Sequence, residues 1–310
     1  MSKIIRIGTR GSQLALYQAN KVKNELEVKF PNLQFEIEII KTKGDKILDV
    51  ALSKIGDKGL FTKEIETALT DGIVDLAVHS LKDLPTVLPE GLILGGVLKR
   101  AEFRDALVSI SGKKMADLNA DDIIATSSLR RKAQLLKLNP NFKIVDIRGN
   151  VNTRLAKMES GYCTAMIMAA AGLQRLGFDK YISEVIDEET IIPAVSQGII
   201  AIETRENDGF IQSLVDQIND EDTNTTARAE RIFLNVLQGG CQVPVGCYTK
   251  STLTEFSICG FISMPDGTGI IQDTFTGKRS DAEQISKKLA LSFYEKGASK
   301  IIEYIREISD

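Results

Sequence analysis

Short apolar runs alternate with amphipathic stretches through the first two thirds of the chain. KIIRIG (3–8) predicts a strand closed by a TRGS turn. Ser12 then suits a helix N-cap, and Ala15, Ala19, Val22 and Leu26 keep a spacing of three and four along one face. Phe30-Pro31 closes that helix, and FEIEII (35–40) predicts the next strand. The Lys-, Gly- and Asp-rich stretch 42–59 has weak periodicity and is expected to be a long mobile loop, a kind that is often functional. Phe61, Ile65 and Leu69 mark another helix, ended by Asp71-Gly72. IVDLAVHS (73–80) predicts a strand that empties into LKDLPTVLPEG, and LILGGVL (92–98) follows.

The rhythm restarts after RAEFRDA (100–106). IIAT (123–126), a Ser-capped helix SLRRKAQLLKL, a strand KIVDI (143–147), a helix opened by Asn150 and a strand YCTAMIM (162–168) follow in turn. Such alternation predicts an α/β protein with two lobes and mainly parallel sheets. IIPAVSQGIIAIETR (191–205) has no helical period and is expected to return to the first lobe as a strand. From about residue 222 the character changes. A helix carrying Ile232, Phe233, Val236 and Leu237 runs into GGCQVPVG. Strands around FSICGFI and IIQDTF flank a PDG turn (265–267), and a final helix starts at Asp281. This reads as a small α+β C-terminal domain.

Composition narrows the function. At roughly 100–200 residues per domain, 310 residues with 43% hydrophobic content make two or three domains. The 39 basic and 42 acidic residues leave a net charge of −3, which excludes a polyanion binder working by bulk charge. Anion recognition must then come from local arginine clusters. Aromatics are 6% with no Trp, which argues against a stacking platform for single-stranded nucleic acid. Four scattered cysteines do not make a secreted disulfide scaffold. The N-terminus shows no apolar h-region, and no run nears the roughly 18 apolar residues of a membrane span. A soluble cytoplasmic protein with reduced thiols is expected.

Candidate chemistry follows from residue type and place. A metal centre is not expected: His79 is the single histidine and Cys163, Cys241, Cys247 and Cys259 contain no C-x-x-C pair. His79 and Ser80 are strand neighbours facing opposite ways, so a Ser-His-Asp triad in HSLKD is disfavoured. GTRGS (8–12) places backbone N–H groups, Ser12 and Arg10 at a helix start, a place that favours an anion. Arg10, Arg130, Arg131, Arg148, Arg154 and Arg175 all fall at or near strand–helix junctions, where open α/β sheets bind ligands. Six arginines on one rim would repel each other without an anion. A ligand with several carboxylates fits the arginine fork, and a polyphosphate is the open alternative. Lys82 and Asp83, just after a strand, offer a carboxylate beside a cation, suited to stabilising positive charge or moving a proton. Cys241 lies in a Gly-rich loop that could bring a thiol to a cleft.

Together, GTRGSQLALYQA (8–19), KGLFTKEIETAL (58–69), DLAVHSLKDLP (75–85), TSSLRRKAQL (126–135), RGNVNTRL (148–155), AAAGLQRLG (169–177), PAVSQGIIAIETR (193–205) and ERIFLNVLQGGCQVPVG (230–246) resemble the porphobilinogen deaminase family, also called hydroxymethylbilane synthases. The resemblance spans residues 3 to about 246, in order. It implies two lobes of the periplasmic-binding-protein type, 1–99 with 199–217 and 104–193, and a C-terminal domain at 222–310. It also implies a reaction: four porphobilinogens are joined head to tail with loss of ammonia, then released with water as hydroxymethylbilane. A covalent dipyrromethane cofactor on a cysteine maps onto Cys241, and the family's catalytic aspartate onto Asp83. Lys82, Thr126, Ser128, Arg130 and Arg131 match groups around the cofactor. Arg10, Ser12, Arg148, Arg154 and Arg175 match residues serving acetate and propionate groups. The stretch 42–59 is similar to the family's active-site loop. Porphobilinogen is the expected partner, with no nucleic acid or membrane. A monomer is expected, able to hand its product to uroporphyrinogen III synthase.

Two departures stand out: Ala125 and Ser196 occupy positions where the family often has glycine. They bear on local backbone conformation. Two competing readings are weaker. A two-lobed binding protein for a small anionic ligand would have no need of Asp83 or Cys241. An effector-binding module would follow a helix-turn-helix segment, and none is legible.

Overall fold

In the computed structural model, which describes residues 4–46, 59–237 and 243–308, the apolar runs of the first hundred residues become one side-by-side sheet. Numbered in chain order, β1 (Ile4–Thr9), β2 (Gln34–Ile39), β3 (Leu76–Ser80), β4 (Leu92–Val97) and β10 (Ile200–Arg205) lie in the order β2-β1-β3-β10-β4. β1 pairs in parallel with β2 and β3, whereas β10 is antiparallel to both of its neighbours, β3 and β4. Four strands therefore run one way and β10 alone runs back. Helix α1 (Gln13–Lys29) lays Ala19, Val22 and Leu26 on Ile5, Ile7, Leu76 and Val78, all essentially inaccessible to water. Its outer face carries Lys21–Glu25 and Lys23–Glu27 pairs one turn apart. The other face of the sheet is covered by α2 (Lys63–Thr70), whose Ile65, Ala68 and Leu69 pack on Val74 and Ala77. The described residues through Ala101, together with Gly198–Thr225, form one compact unit.

The second unit takes Glu102–Gln197 and the described residues from Thr226 on. It repeats the pattern in a sheet of order β7-β6-β8-β5-β9, formed by β5 (Asp105–Val108), β6 (Ile123–Ala125), β7 (Lys143–Val145), β8 (Ala165–Ala169) and β9 (Ile182–Val185). Here β5 is the reversed strand, antiparallel to β8 and β9. Local signals set the helices between strands. Ser128 caps α3 (Leu129–Leu138), and Asn150 caps α4 (Val151–Glu159) by accepting from Thr153 N at 3.0 Å. A short helix, α5 (Ala170–Arg175), follows β8.

The same unit holds a second sheet, β11 (Val245–Ser251), β12 (Glu255–Ile262) and β13 (Ile271–Lys278), all antiparallel. Helices α7 (Glu221–Val236) and α8 (Ala282–Glu295) cover it, with Phe233 and Phe293 edge to face at 5.3 Å. The expected single terminal helix is two. Gly297, at φ 98°, breaks it before α9 (Ala298–Glu307). The helix α6 (Gly209–Val215), which the apolar pattern does not announce, follows β10. The PDG turn rests on α3: Gly267 sits at φ 84°, and a Cβ there would lie 2.5 Å from the Ala133 carbonyl.

Ser196 is the one described residue other than glycine at positive φ, 60°. Its N–H donates to buried Glu230 Oε2 at 2.6 Å, while its own hydroxyl is buried without a partner. Left-handed backbone costs a side-chain residue about 1–2 kcal/mol, and glycine gives back about 0.5–1 through the unfolded chain. Relief of the orphaned hydroxyl adds to the gain. Ser196→Gly is therefore expected to stabilise by about 1 kcal/mol, read in calorimetry as a melting temperature raised by on the order of 2 °C. A lowered melting temperature would contradict this account.

Candidate active site

In the first unit, β1 and β3 are parallel neighbours, so the residues leaving their carboxyl ends lie side by side. From β1 come Arg10 and Ser12; Ser12 accepts from Ala15 N at 3.3 Å and so opens α1. Half-buried Arg10 donates to Asp45 and lies over the ring of Phe61, with Cζ 4.2 Å from its centroid. From β3, the chain turns through a short 3₁₀ segment, Leu81–Asp83. Leu81 and Leu84 are drawn into the core, which leaves Lys82 half-buried and turns Asp83 out to solvent. The Asp83 carboxylate makes no hydrogen bond or ion pair among the described residues.

His79 belongs to the other face of β3. Its Nε2 lies 3.1 Å from Glu203 Oε2, and both side chains are buried, while Ser80 meets Gln18 of α1 at 2.8 Å. The alternation of strand side chains thus separates His79 from Ser80, as expected. Glu66 of α2 joins this buried group; burial pushes its carboxyl above the ordinary range, and neighbouring Glu203 adds to the rise. Oε1 of Glu66 and Oε1 of Glu203 are each buried without a hydrogen-bond partner.

In the second unit, β7, β6 and β8 are parallel neighbours and deliver most of the predicted residues of that unit to one edge. Thr126 is buried just past β6, bonded to Val145 O at 2.9 Å, and its hydroxyl accepts from Ser128 N. Ser128 caps α3, so Arg130 and Arg131 fall in the first turn of that helix. Both arginines are buried, and both converge on Asp105, which has no exposed surface. Arg130 Nη1 is 2.9 Å from Asp105 Oδ2, and Arg131 grips the same carboxylate through Nη2 at 2.6 Å and Nε at 3.1 Å. Gln197 donates to Asp105 Oδ1 at 2.8 Å. Burial alone would raise Asp105, but the two guanidiniums and these hydrogen bonds hold its carboxyl well below the usual carboxylate range. Two cations on one anion leave one positive charge over. Arg130 also donates to Ile192 O at 2.5 Å and Arg131 to Ile167 O at 3.0 Å, so their orientation is set.

Sequence reasoning passed over Asp105. It opens a four-residue apolar strand, and an acidic residue buried in such a run requires a partner. Because β5 is reversed, its first residue stands opposite Ala169, at the carboxyl end of β8. That puts Asp105 on the arginine edge.

Arg148, between β7 and α4, is half-buried, and its Nη1 is buried with no hydrogen-bond partner. Arg154 Nε donates to Gly149 O at 2.8 Å. Arg175 stands at the last position of α5, further from the strand end than expected. The structure thus gathers Arg10, Ser12, Lys82 and Asp83 at one edge of the first unit. Thr126, Ser128, Arg130, Arg131, Arg148, Arg154 and Arg175 belong to the second unit, most of them at its carboxyl edge. Cys241 and most of 42–59 lie outside the described residues; Lys43–Lys46 form a helical turn. Among the described residues, no group of three or more His, Cys, Asp or Glu is placed to hold a metal ion, and no helix is long and apolar enough to cross a membrane.

A buried guanidinium nitrogen without an acceptor, in a unit whose clamped arginine pair also carries an excess of positive charge, suits a carboxylate-bearing group. Two family models match the chain: "Porphobilinogen deaminase, dipyromethane cofactor binding domain" over residues 5–213, and "Porphobilinogen deaminase, C-terminal domain" over 224–295. A protein of Syntrophobacter fumaroxidans named porphobilinogen deaminase is 43% identical, covering 98% of each chain. Namesakes from Moorella thermoacetica and Bacillus velezensis are each 46% identical, over 97% and 99% of this chain and 96% and 98% of theirs. Among solved structures, the probable amino-acid ABC transporter extracellular-binding protein ytmK from Bacillus subtilis aligns at 15% identity and a TM-score of 0.43, over 73% of this chain and 94% of that one.

Proposed function

Because the chain belongs to the porphobilinogen deaminase family, we infer that it is a transferase that joins four porphobilinogens head to tail with loss of ammonia and releases hydroxymethylbilane with water. The observation that supports this best is agreement with relatives over nearly the whole chain, on a frame whose carboxyl edges carry the charged groups such a reaction needs.

Each porphobilinogen brings two carboxylates and an aminomethyl group. Arg10 with Ser12, and Arg148, Arg154 and Arg175, are assigned the carboxylates, which in an acidic protein require local guanidinium groups. Asp83 is assigned the aminomethyl nitrogen. An exposed carboxyl at the end of β3 is free to hand a proton to the leaving amine, and its ionised form then favours the positive charge that remains. Lys82, Thr126, Ser128, Arg130 and Arg131 are assigned to the dipyrromethane. When bound, that group supplies the pyrrole carbon to which the first unit is joined. The Asp105 clamp supports the assignment, since it fixes Arg130 and Arg131 without neutralising both.

Cys241 is read as the thioether anchor. Cys163, Cys247 and Cys259 are buried and in no disulfide among the described residues, and burial pushes Cys163 up to about 11, which suits structural rather than reactive cysteines. Reduced thiols favour a cytoplasmic location. A three-part division at 1–99 with 199–217, 104–193 and 222–310, a monomeric state and release of product to uroporphyrinogen III synthase complete the reading.

Intact-protein mass spectrometry with peptide mapping tests it. Active protein is expected to carry an adduct of two pyrrole units on the peptide containing Cys241. An unmodified mass in active protein would reject the assignment.

A further inference from the structure

Arg10 already holds a carboxylate. Its Nη2 donates to Asp45 Oδ1 at 2.6 Å and its Nε to the same oxygen at 3.2 Å, so the Nε–Nη2 edge of the fork is taken. The pair is only part-exposed, 24% for Arg10 and 29% for Asp45. Asp45 does not depend on Arg10 alone. Buried Thr42 donates to its Oδ2 through Oγ1 at 2.8 Å and through the backbone N–H at 3.3 Å. The turn that carries it is pinned by Gly44 N to Leu60 O at 3.0 Å, and it packs so tightly on Phe61 that a Cβ at Gly44 would fall 2.2 Å from the ring. Phe61 in turn lies against the Arg10 guanidinium. Asp45 is thus fixed on the edge of the guanidinium that binds a carboxylate best.

We propose that Asp45 is an internal carboxylate that competes with a substrate carboxylate for Arg10, and so sets the affinity for substrate at that position. This rests on the reading that Arg10 serves a substrate carboxylate. The exchange replaces one carboxylate by another, so Arg10 is never left unpaired, and Asp45 keeps its two bonds from Thr42. A pyrrole lacking a carboxylate at that point gains nothing to set against the lost Asp45 contact. Asp45 therefore lowers by the same contact the affinity of any occupant that displaces it, and only an occupant that brings its own carboxylate recovers that contact.

Two measurements test this. In cofactor-loaded Asp45→Asn, the KM for porphobilinogen is expected to fall about three- to five-fold, the scale of a part-exposed ion pair, with kcat within about two-fold of wild type. An unchanged or higher KM overturns the proposal. The second measurement keeps Asp45 in place. The Asp45 carboxyl sits below the ordinary range: burial raises it, but Arg10 and Thr42 together outweigh that. In the Asp83→Asn holoenzyme, carboxyl-labelled and followed by NMR, saturating porphobilinogen is expected to move the Asp45 titration upward, because Arg10 has left it. An unmoved midpoint overturns the proposal even if Asp45→Asn fails to fold. A wild-type protein that makes hydroxymethylbilane while failing both measurements keeps the family reading and loses this one.

Discussion

Asp83→Asn is expected to lower turnover by about two to four orders of magnitude, the range seen when a positioned acid–base group is removed. Asparagine keeps the shape and the exposure but neither carries a negative charge nor releases a proton. Since Asp83 is exposed and bonded to nothing among the described residues, the substitution is expected to change stability by less than about 0.5 kcal/mol. Cofactor loading, read by mass, is expected to persist. Steady-state rates, a melting curve and an intact mass on one preparation therefore separate a catalytic role from a structural one. Near-normal turnover would remove Asp83 from the chemistry.

Asp105→Asn has the opposite signature. It leaves Arg130 and Arg131, both buried, facing a neutral amide. Removing one partner from a buried ion pair costs about 3–5 kcal/mol, because the remaining charge has no counterpart and no water. The melting temperature is expected to fall on the order of 10 °C. Acidity gives a second check. The folded Asp105 carboxyl titrates below its unfolded value, so its contribution is fully present above about pH 4 and is lost as pH falls through that window. The gap between wild type and Asp105→Asn should be constant near neutrality and shrink below about pH 4. A loss under 1 kcal/mol at pH 7, or a gap that widens in acid, would show that the clamp does not hold these arginines.

Much of the first edge and part of the second were legible from local signals. Ser12, Ser128 and Asn150 announce their helices because a cap is a bond between neighbours in the chain. The separation of His79 from Ser80 follows from the two-residue period of any strand. The arginines follow from strand–helix alternation, since parallel strands deliver their carboxyl ends to the same edge. The assignment of Cys241 as cofactor anchor rests on family resemblance alone, because the residue lies outside the described residues.

Other features had no local signal. Strands β5 and β9 are four residues each, too short for alternation to declare itself, and neither is among the strands the apolar pattern predicts. The missed break in the C-terminal helix differs, because Gly297 is a recognisable stop.

The amino-acid order by itself determined which side chains stand at strand ends and which helices begin there, because those outcomes depend on residues a few positions apart. The tertiary fold decided what those side chains meet. Asp105 lies 26 positions from Arg131, and Asp45 lies 35 from Arg10. Only sheet order, with one strand reversed, brings Asp105 to its arginine edge, and only the packing of Phe61 and Thr42 fixes Asp45 on its guanidinium. A buried charge takes its properties from whatever the fold places against it, and that is set by pairings distant in the chain.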